Sequence, residues 1–389
     1  MEVHAPQTTH HAASKLVPLL LDWFAASARD LPWRRTRDPY AIWVSEIMLQ
    51  QTQVKTVIPY WERWMRELPT IAALANARAD KIHKLWEGLG YYTRVRNLQR
   101  AAQQIVTQHA GIFPKNFDDI LALPGIGRYT TGAISSIAFN QPRPIVDGNV
   151  IRVISRVFGI ATDPREKKTN ALLWQLAEKL VTEAARLNSS RSSRREEAHS
   201  STSAIGNRQS AIDQNLLTSA ATNIGLCSAL NQSLMELGAL VCTPRSPQCD
   251  VCPINKLCVA RKKNLQEQLP NLAKREAATA RHFIAFVVER DGKYLVRQRP
   301  AGVVNAHLWE FPNIEATTAR QKSATPFQIV SAKPLCTIKH SITRYRITLE
   351  AWHAELDTPS QKVSGRWLNP VQLRKLAFTS AHKKVLARL

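Results

Sequence analysis

The stretch Leu123-Pro-Gly-Ile-Gly-Arg-Tyr129 decides the fold of the first part of this chain. A short helix is predicted from Phe117 to Leu123 and a second from Arg128 to Phe139, joined by a tight turn whose glycines admit positive φ. In this helix-hairpin-helix pattern, Gly125 and Gly127 would let a nucleic-acid phosphate approach the unpaired N–H groups that begin the second helix. An ordinary αα-hairpin, whose glycines only cap helices, is the alternative.

A second signal follows the hairpin, where the chain runs into Asp147-Gly-Asn149. An Asp before a predicted helix, here Val150 to Phe158, is commonly just the N-cap of that helix. It gains a catalytic interpretation only if a partner carboxylate is found, because general acid–base chemistry is commonly divided between two carboxyl groups in different environments. Both interpretations of Asp147 stay open at this point.

Glu46 is the candidate partner, in the predicted helix from Ala41 to Val54. Its neighbours Trp43, Val44 and Ile47 are apolar, so its carboxyl lies beside apolar side chains whichever way the helix turns. Such a carboxyl is either paired structurally or has a raised pKa, as a general acid near neutral pH requires. The polar cluster at 50–53, which includes Gln51, ends this helix with amide groups suited to base edges.

The composition favours a polyanionic partner. The chain of 389 residues is long enough for two or three domains, and its net charge of +23 with a pI near 10.2 attracts nucleic acid. A membrane surface is disfavoured because no predicted helix is both basic and strongly amphipathic. Since neither a secretory signal nor a membrane span is recognisable, we expect a soluble intracellular protein, cytoplasmic and associated with the nucleoid.

Four of the six cysteines form a compact group with the spacing C-x6-C-x2-C-x5-C. Four thiolates in so short a segment of an intracellular protein require a metal centre. Zinc accounts for the number of ligands, although zinc sites usually pair two C-x2-C knuckles and only one is present. Cys227 and Cys336 stand apart and are expected to be ordinary thiols. The group consists of Cys242, Cys249, Cys252 and Cys258.

Two aromatic and basic motifs could contact DNA bases. In Leu31-Pro-Trp-Arg34, Trp33 either plugs a gap in the core or forms a pocket wall for a flat base, with Arg34 near a phosphate. Gly88-Leu-Gly-Tyr-Tyr92, which precedes three arginines, suits insertion into a duplex; the alternative is a helix C-cap with core tyrosines.

The rest of the chain indicates a change of fold class. Residues 185–225 are polar and without periodicity, which predicts a disordered insertion, and residues 261–280 resemble a basic linker. Beyond the linker, alternating segments predict strands and two short closing helices, which together make an α+β domain. The predicted strands are Phe283–Val288, Tyr294–Arg297 and Arg344–Trp352.

Taken together, these motifs closely resemble the MutY family of adenine-specific mismatch DNA glycosylases. The resemblance covers roughly residues 14–184 and 226–389 and rests on several independent motifs in the right order. It implies a multidomain protein, with an all-α helix-hairpin-helix glycosylase carrying a [4Fe–4S] loop and a C-terminal α+β NUDIX-like domain. The implied domains are an iron-sulfur helical domain (14–36 and 140–260), a six-helix domain (37–139) and a lesion-recognition domain (281–389).

The resemblance also implies an activity and a set of roles. The enzyme would remove adenine paired with 8-oxoguanine or guanine in double-stranded DNA, as a monomer, after flipping the nucleotide out of the stack. Glu46 would protonate the adenine, and Asp147 would stabilise the oxocarbenium charge with support from Asn149. The remaining roles fall to the adenine pocket (Trp33, Tyr129, Gln232), to the opposite strand (Gln51, Leu89, Tyr91) and to the cysteine quartet as cluster ligands.

Two departures from related families refine these expectations. Endonuclease III-type enzymes place a Schiff-base Lys where this chain has Tyr129, so we expect a monofunctional glycosylase rather than a glycosylase/lyase. The C-terminal domain keeps the NUDIX-like features Leu308-Trp-Glu-Phe-Pro312 and His340 but has no R-E-x-x-E-E helix, which excludes a NUDIX hydrolase.

Ile342-Thr343-Arg344 replaces the family's Phe-Ser-His, leaving Thr343 and Arg344 as candidates for contacting the lesion. A non-catalytic mismatch-binding protein is the remaining alternative.

Overall fold

The computed structural model describes residues 7–200, 225–273, 277–316, 327–342, 344–357 and 363–389. The chain forms two compact units, each built from two separate segments. The first unit comprises Met1–Gln51 and Thr107–Ala273, and the second comprises Thr52–Val106 and Lys274–Leu389. The domain boundaries expected from the sequence stay predictions.

Helices make up the first unit and part of the second. In chain order the helices of the described residues are α1 Gln7–Ser27, α2 Pro39–Leu49, α3 Val54–Glu67, α4 Ile71–Ala75, α5 Ala79–Trp86, α6 Thr93–Gln108, α7 Phe117–Leu121, α8 Arg128–Ile137, α9 Gly148–Phe158, α10 Lys167–Ser200, α11 Leu226–Leu240, α12 Val259–Lys262, α13 Pro370–Arg374 and α14 Ser380–Leu386.

The core of the first unit is formed by the apolar faces of four helices. Leu20 of α1, Val153 of α9, Val181 of α10 and Leu234 of α11 all belong to one buried cluster. Burying such side chains removes apolar surface from water and is the main favourable term in folding. The packing fixes α9 and α11 next to each other, and both helices carry polar residues of the candidate site.

The hairpin forms as its sequence predicts, with one refinement. Helix α7 ends at Leu121 and α8 begins at Arg128, and the turn between them is closed by a hydrogen bond from the Ile126 N–H to the Leu123 carbonyl (3.1 Å). Of the two glycines, only Gly125 has a positive φ (+78°), whereas Gly127 is extended and caps α8. A side chain at position 125 would therefore be strained, which is why glycine is required there.

Helix α10 runs through the beginning of the segment for which the sequence predicts disorder. Its backbone is helical as far as Ser200, so residues 185–200 differ from that expectation. Ala, Arg and Glu, frequent in this part, are good helix formers, which a criterion based only on low apolar content ignores. Residues 201–224 of the predicted insertion lie outside the described residues.

The second unit contains a mixed sheet. Its strands are β1 Thr279–Arg290, β2 Lys293–Gln298, β3 Trp309–Glu310, β4 Asn313–Glu315, β5 Ile329–Ile342, β6 Tyr345–Leu356 and β7 Arg366–Leu368. The order is β3-β2-β1-β6-β5, with β4 paired to β1 and β7 to β2; β1 and β6 are parallel, and the other strand pairs are antiparallel. The predicted α+β class of the C-terminal domain is confirmed.

Alternation along β1 builds a core on both faces of this sheet. Ala285 and Val287 face one cluster with Phe378 and the short C-terminal helices, while Ile284 and Phe286 face another. This is the period of two that a strand covered on both sides requires. Among the described residues, no helix is both long and apolar enough to cross a membrane.

Candidate active site

Glu46 lies in the most buried helix of the first unit. Asp38 caps the start of α2 by accepting a hydrogen bond from the Tyr40 N–H (3.0 Å), and every residue from Tyr40 to Met48 is buried. Glu46 itself is 5% exposed, and its Oε2 accepts a hydrogen bond from the Tyr129 hydroxyl at 2.9 Å. The sequence-based expectation that this carboxyl is surrounded by apolar groups is confirmed.

Burial gives Glu46 an unusual proton affinity. The pKa of Glu46 is raised from 4.5 to about 7: burial is the largest cause and the charge of Asp147 adds to it, while the Tyr129 hydrogen bond and the charge of Arg34 partly oppose the rise. A carboxyl with a pKa near 7 is protonated in a large fraction of molecules at neutral pH. It therefore has the property that a general acid needs at that pH.

Asp147 takes the N-cap position that its sequence context predicts. It is the N-cap of α9, because its Oδ1 accepts a hydrogen bond from the Val150 N–H (2.7 Å). Its Oδ2 accepts a second bond from Asn149 Nδ2 (3.0 Å). Burial raises the pKa of Asp147, but the hydrogen bonds from Val150 and Asn149 favour the ionised form. Asn149 is fixed in turn by Arg152, whose guanidinium donates to its Oδ1 at 2.8 Å.

The hydroxyl of Tyr129 lies in the electrostatic field of both carboxyl groups. Burial of its hydroxyl raises its pKa well above the usual value, and the charges of Glu46 and Asp147 add to the effect. The hydroxyl also lies 3.3 Å from the sulfur of Met235 on α11. Tyr129 is therefore a neutral hydrogen-bond donor at physiological pH, and it holds Glu46 in one orientation.

The predicted base pocket is partly assembled in the first unit. Trp33 is 7% exposed in the short turn Pro32–Arg34, and Arg34 donates from Nε to Gln232 Oε1 at 3.0 Å. Gln232 is itself oriented by a bond from its Nε2 to Ser228 Oγ (3.0 Å). Arg34 and Gln232 are thus brought together, although they are 198 positions apart in the chain.

The predicted DNA-contacting residues lie on loops of both units. In the first, a Cβ built on Gly127 would find no atom within 4 Å, so the hairpin is open to an approaching backbone, and Gln51 is exposed with φ +57°. In the second, Leu89 is buried and Tyr91 is 43% exposed with φ +47°. Arg94 lies over the Tyr91 ring at 5.5 Å.

The predicted lesion-reading segment follows β5. Arg344 is exposed and donates from Nη2 to the Tyr345 hydroxyl at 3.3 Å, and its guanidinium lies 5.4 Å from that ring. Thr343 lies outside the described residues. Within the described part of the chain, His340 Nδ1 is buried without a hydrogen-bond partner. Burial lowers the pKa of His340, and the charge of Lys384 lowers it further, so this ring is neutral at neutral pH.

The four predicted cysteine ligands line one cavity. Arg156, which is 2% exposed, lies at the same cavity, with its Nη1 3.3 Å from Cys242 Sγ. Burial, followed by the charges of the other three cysteines, raises the pKa of Cys252 to about 12. Thiols in such a place ionise only when a cation binds them, so the donor set fits a metal cluster.

A [4Fe–4S] cluster held by Cys242, Cys249, Cys252 and Cys258 would cross-link the loop that follows α11. Such a cluster, when bound, supplies stability to the fold of that loop.

Comparison with known proteins identifies three segments. Residues 44–179 match the HhH-GPD superfamily of base excision DNA repair proteins, residues 242–258 match the iron-sulfur binding domain of endonuclease III, and residues 284–388 match the NUDIX domain. The cysteine loop is therefore an iron-sulfur domain, and the predicted [4Fe–4S] cofactor is confirmed over the zinc alternative.

Relatives over the whole chain decide the family. The adenine DNA glycosylase of Homo sapiens is 32% identical over 94% of this chain and 72% of its own length. That of Buchnera aphidicola (strain APS) is 32% identical over 76% of this chain and 73% of its own length. The chain belongs to the adenine DNA glycosylase family. It is accordingly a base-excision DNA glycosylase, a monofunctional hydrolase of N-glycosyl bonds whose substrate is DNA, and the predicted class of enzyme is confirmed.

A solved structure supports the fold of the helical part. A thermostable thymine-DNA glycosylase aligns with a TM-score of 0.51 and 27% identity, covering 66% of this chain and all of the other. The predicted helix-hairpin-helix glycosylase fold, extended by a NUDIX-like domain, is thus confirmed for this glycosylase.

One part of the glycosylase site was missed by the sequence analysis. Glu236 of α11 is 1% exposed, and its two oxygens accept hydrogen bonds from Arg29 (both 2.7 Å) and Arg34 (3.2 and 3.0 Å). Burial raises the pKa of Glu236, but the bonds from both arginines outweigh that effect and lower it to about 2. This ionised carboxylate accepts hydrogen bonds from the Arg34 guanidinium, for which the sequence predicts a phosphate as the neighbour. The signal available was a carboxylate within an apolar helix, the same criterion that identified Glu46.

Proposed function

We propose that this glycosylase removes adenine paired with 8-oxoguanine or guanine in double-stranded DNA. The observation that carries the proposal is the buried carboxyl of Glu46, with a pKa of about 7, next to Tyr129 and within the field of Asp147. Excision of adenine needs proton donation to the base, because unprotonated adenine would depart as an anion, which is a poor leaving group. A carboxyl that remains protonated near pH 7 supplies that proton.

The target nucleotide must leave the stack before this chemistry occurs. The N-glycosidic bond is not accessible within a duplex, so the adenosine is flipped into a pocket. Trp33 provides an aromatic wall for the flat base, and Gln232 provides an amide for its edge. The ion pairs of Glu236 hold Arg34 beside this amide, so the pocket is preorganised rather than formed on binding.

The two carboxyl groups divide the reaction between them. Glu46 transfers its proton to N7 of adenine, the C–N bond breaks, and positive charge develops on the sugar. Asp147, held ionised by Val150 and Asn149, stabilises that oxocarbenium charge. The ionised Glu46 then takes a proton from the attacking water, which regenerates the acid and leaves an abasic site. Tyr129 maintains the orientation of Glu46 throughout.

Tyr129 also supports hydrolysis without strand cleavage. A lyase step needs an amine that forms a Schiff base with the sugar. The position that carries Lys in the endonuclease III type holds a phenol here, and its hydroxyl is hydrogen-bonded to Glu46. We therefore expect borohydride to trap no covalent complex between this protein and DNA, and efficient trapping would contradict the monofunctional assignment.

The remaining DNA contacts surround this centre. The N–H groups of the hairpin at Gly125 and Gly127 bind a backbone phosphate, and Gln51, Leu89 and Tyr91 contact the bases that flipping exposes. The NUDIX-like module reads the base opposite adenine through the segment 342–344, where Arg344 offers an extended cation. We expect the protein to act as a monomer on nucleoid DNA, which sedimentation of the complex with a short duplex will test.

A single-turnover assay tests the proposal. Duplexes carrying adenine opposite 8-oxoguanine, guanine or thymine are incubated with the wild type, Glu46→Gln and the control Glu178→Gln, an exposed residue of α10. We expect strand breaks only after alkali treatment, from the first two duplexes, with the wild type and the control but not with Glu46→Gln. Cleavage without alkali would indicate a lyase, and activity retained by Glu46→Gln would remove Glu46 as the acid.

A further inference from the structure

Glu87 is a buried carboxylate that the proposed reaction does not use. It follows helix α5, is 5% exposed, and immediately precedes the loop 88–92. Its Oε1 accepts a hydrogen bond from the Phe378 N–H (2.9 Å), and its Oε2 accepts bonds from Lys383 Nζ (2.7 Å) and Lys84 Nζ (2.9 Å). Phe378 and Lys383 belong to the NUDIX-like module, which lies in the same compact unit as α5.

Three further contacts join α5 and α6 to the module around this carboxylate. Lys84 Nζ also donates to the Leu376 carbonyl (2.9 Å), and Arg96 Nη1 donates to the Ala306 carbonyl (3.2 Å). The rings of His83 and His307 are stacked, with centroids 6.4 Å apart. Glu87 is the acidic centre of this contact, because it neutralises two lysines and pairs a backbone N–H at once.

Hydrogen bonds to the backbone of Glu87 and Gly88 fix the start of the loop 88–92. The Glu87 carbonyl accepts a hydrogen bond from the Tyr60 hydroxyl (2.8 Å), and the Gly88 N–H donates to the Tyr92 hydroxyl (3.2 Å). Gly88 has φ +111°, and a Cβ there would lie 2.3 Å from the Tyr60 oxygen. The first residue of the loop therefore has almost no freedom to move independently of Glu87.

The tip of the loop is equally constrained. Trp86 Nε1 donates to the Gly90 carbonyl (3.0 Å), and Arg94 Nη2 donates to the carbonyls of Leu89 (3.0 Å) and Gly90 (3.2 Å). The backbone of residues 88–90 is thus held by the side chains of Tyr92, Trp86 and Arg94. Packed, hydrogen-bonded segments of this kind transmit shifts because they are not continuously deformable.

We propose that Glu87 is a positioning residue that couples the NUDIX-like module to the loop 88–92, so that the base read by the module controls how the loop enters the duplex. The inference rests on the proposed function for its DNA substrate. When the module fits the opposite base, Phe378 and Lys383 hold Glu87 in place and Leu89 is presented correctly. A poorly fitting base displaces the module and, through Glu87, the loop.

The geometry also explains why the carboxylate is suited to this role. Burial raises the pKa of Glu87, but hydrogen bonds from Lys383, Phe378 and Lys84 outweigh it and keep the pKa below its ordinary value. The residue is therefore charged at neutral pH. Glu87→Gln keeps the shape and the bond from Phe378 but replaces one charge-assisted oxygen by a donor that faces two lysines. Lys383→Met removes one of the two bonds that the module donates to Glu87 and leaves the bond from the Phe378 N–H in place.

Hydrogen exchange of the free protein tests whether Glu87 couples the NUDIX-like module to the loop 88–92. We expect Glu87→Gln and Lys383→Met to speed amide exchange both in the loop 88–92 and in residues 376–383 by about fivefold. The control Asp80→Asn, an exposed acid of the same helix paired with Arg78, should change neither segment. Faster exchange in only one of the two segments, or in neither, would overturn the coupling.

Single-turnover excision tests the functional half. The ratio of rates for adenine opposite 8-oxoguanine and opposite guanine should fall about fivefold in both variants, and the double variant should fall no further, since both act through one pair. A merely structural role would lower both rates equally and leave the ratio unchanged, which would overturn the proposal. If the wild type excises adenine from neither duplex, the proposed function is wrong, and the exchange experiment alone then decides the coupling.

Discussion

Replacing Glu46 by Gln is expected to abolish excision and to stabilise the protein at alkaline pH. In the folded protein, burial raises the pKa of Glu46 to about 7, whereas the value in an unfolded chain is close to the ordinary 4.5. Because the folded state holds this proton more tightly, the contribution of Glu46 to stability is fully present below about pH 4.5 and is lost as the pH rises to about 7. Gln does not titrate and avoids this loss.

The size of the effect follows from the difference between the two pKa values. At about 1.4 kcal/mol per pKa unit, a rise from 4.5 to about 7 corresponds to a total of about 3 kcal/mol. Most of it develops between about pH 5 and about pH 8, where the variant should gain about 2 kcal/mol relative to the wild type. The Tyr129 hydrogen bond can be retained by the Gln carbonyl oxygen, so it does not offset the gain.

The assay is urea unfolding of the cluster-loaded protein at the two pH values, followed by circular dichroism. Glu178→Gln serves as the matched control, since that side chain is exposed on α10 in the same unit. A stability difference between Glu46→Gln and wild type that is the same at both pH values would refute the reasoning. It would mean that Glu46 is not held protonated by burial, and the assignment of the general acid would lose its physical basis.

Three further predictions concern the surroundings of Glu46. Tyr129→Phe removes the hydrogen bond that favours the ionised carboxylate of Glu46, so it should raise the pKa of Glu46. The alkaline limb of the single-turnover pH profile should then move to higher pH. A limb that does not move would contradict the hydrogen bond between Tyr129 and Glu46. Glu236→Gln should cost about 2–3 kcal/mol of unfolding free energy at neutral pH, because two arginines lose their charged partner. Since the pKa of Glu236 is lowered to about 2, this difference between variant and wild type should shrink as the pH falls below about 4.5. A difference that stays constant with pH would argue against the ion pairs. Cys252→Ser should abolish the visible absorbance of the cluster and lower the melting temperature, while Cys227→Ser, outside the quartet, should leave the absorbance intact.

Local chemistry made much of the helical part predictable. The hairpin glycines, the Asp147 N-cap and the apolar neighbours of Glu46 are each specified by adjacent residues, and the structure places them as those neighbours require. The ion pairs of Glu236 are different, because Arg29 lies 207 positions away. Arg29 and Glu236 meet only because α1 and the turn after it pack against α11. The pattern of residues along a single sequence does not indicate which distant segments pack together.

The sheet shows the same limit. Three strands were predicted from their apolar patterns, but the long strand β5 and the short strands β3, β4 and β7 were missed. Strand β5 includes Pro334, and its pairing with β6 shifts register between Pro334 and Cys336. Proline is disfavoured within strands unless a bulge removes the need for its missing N–H. The strand is therefore specified by its partner β6 rather than by its own pattern.

The close approach at Gly238 limits how the base pocket of this glycosylase can be redesigned. A Cβ at that position would lie 2.7 Å from Asn149 Cβ, so the end of α11 and the first turn of α9 touch nearly backbone to backbone. The same α11 carries the pocket residue Gln232 and leads directly into Cys242. A graft that aims at a new base specificity must therefore transplant α9 and α11 as one block, together with the start of the cluster loop, because at Gly238 no side chain separates the two backbones.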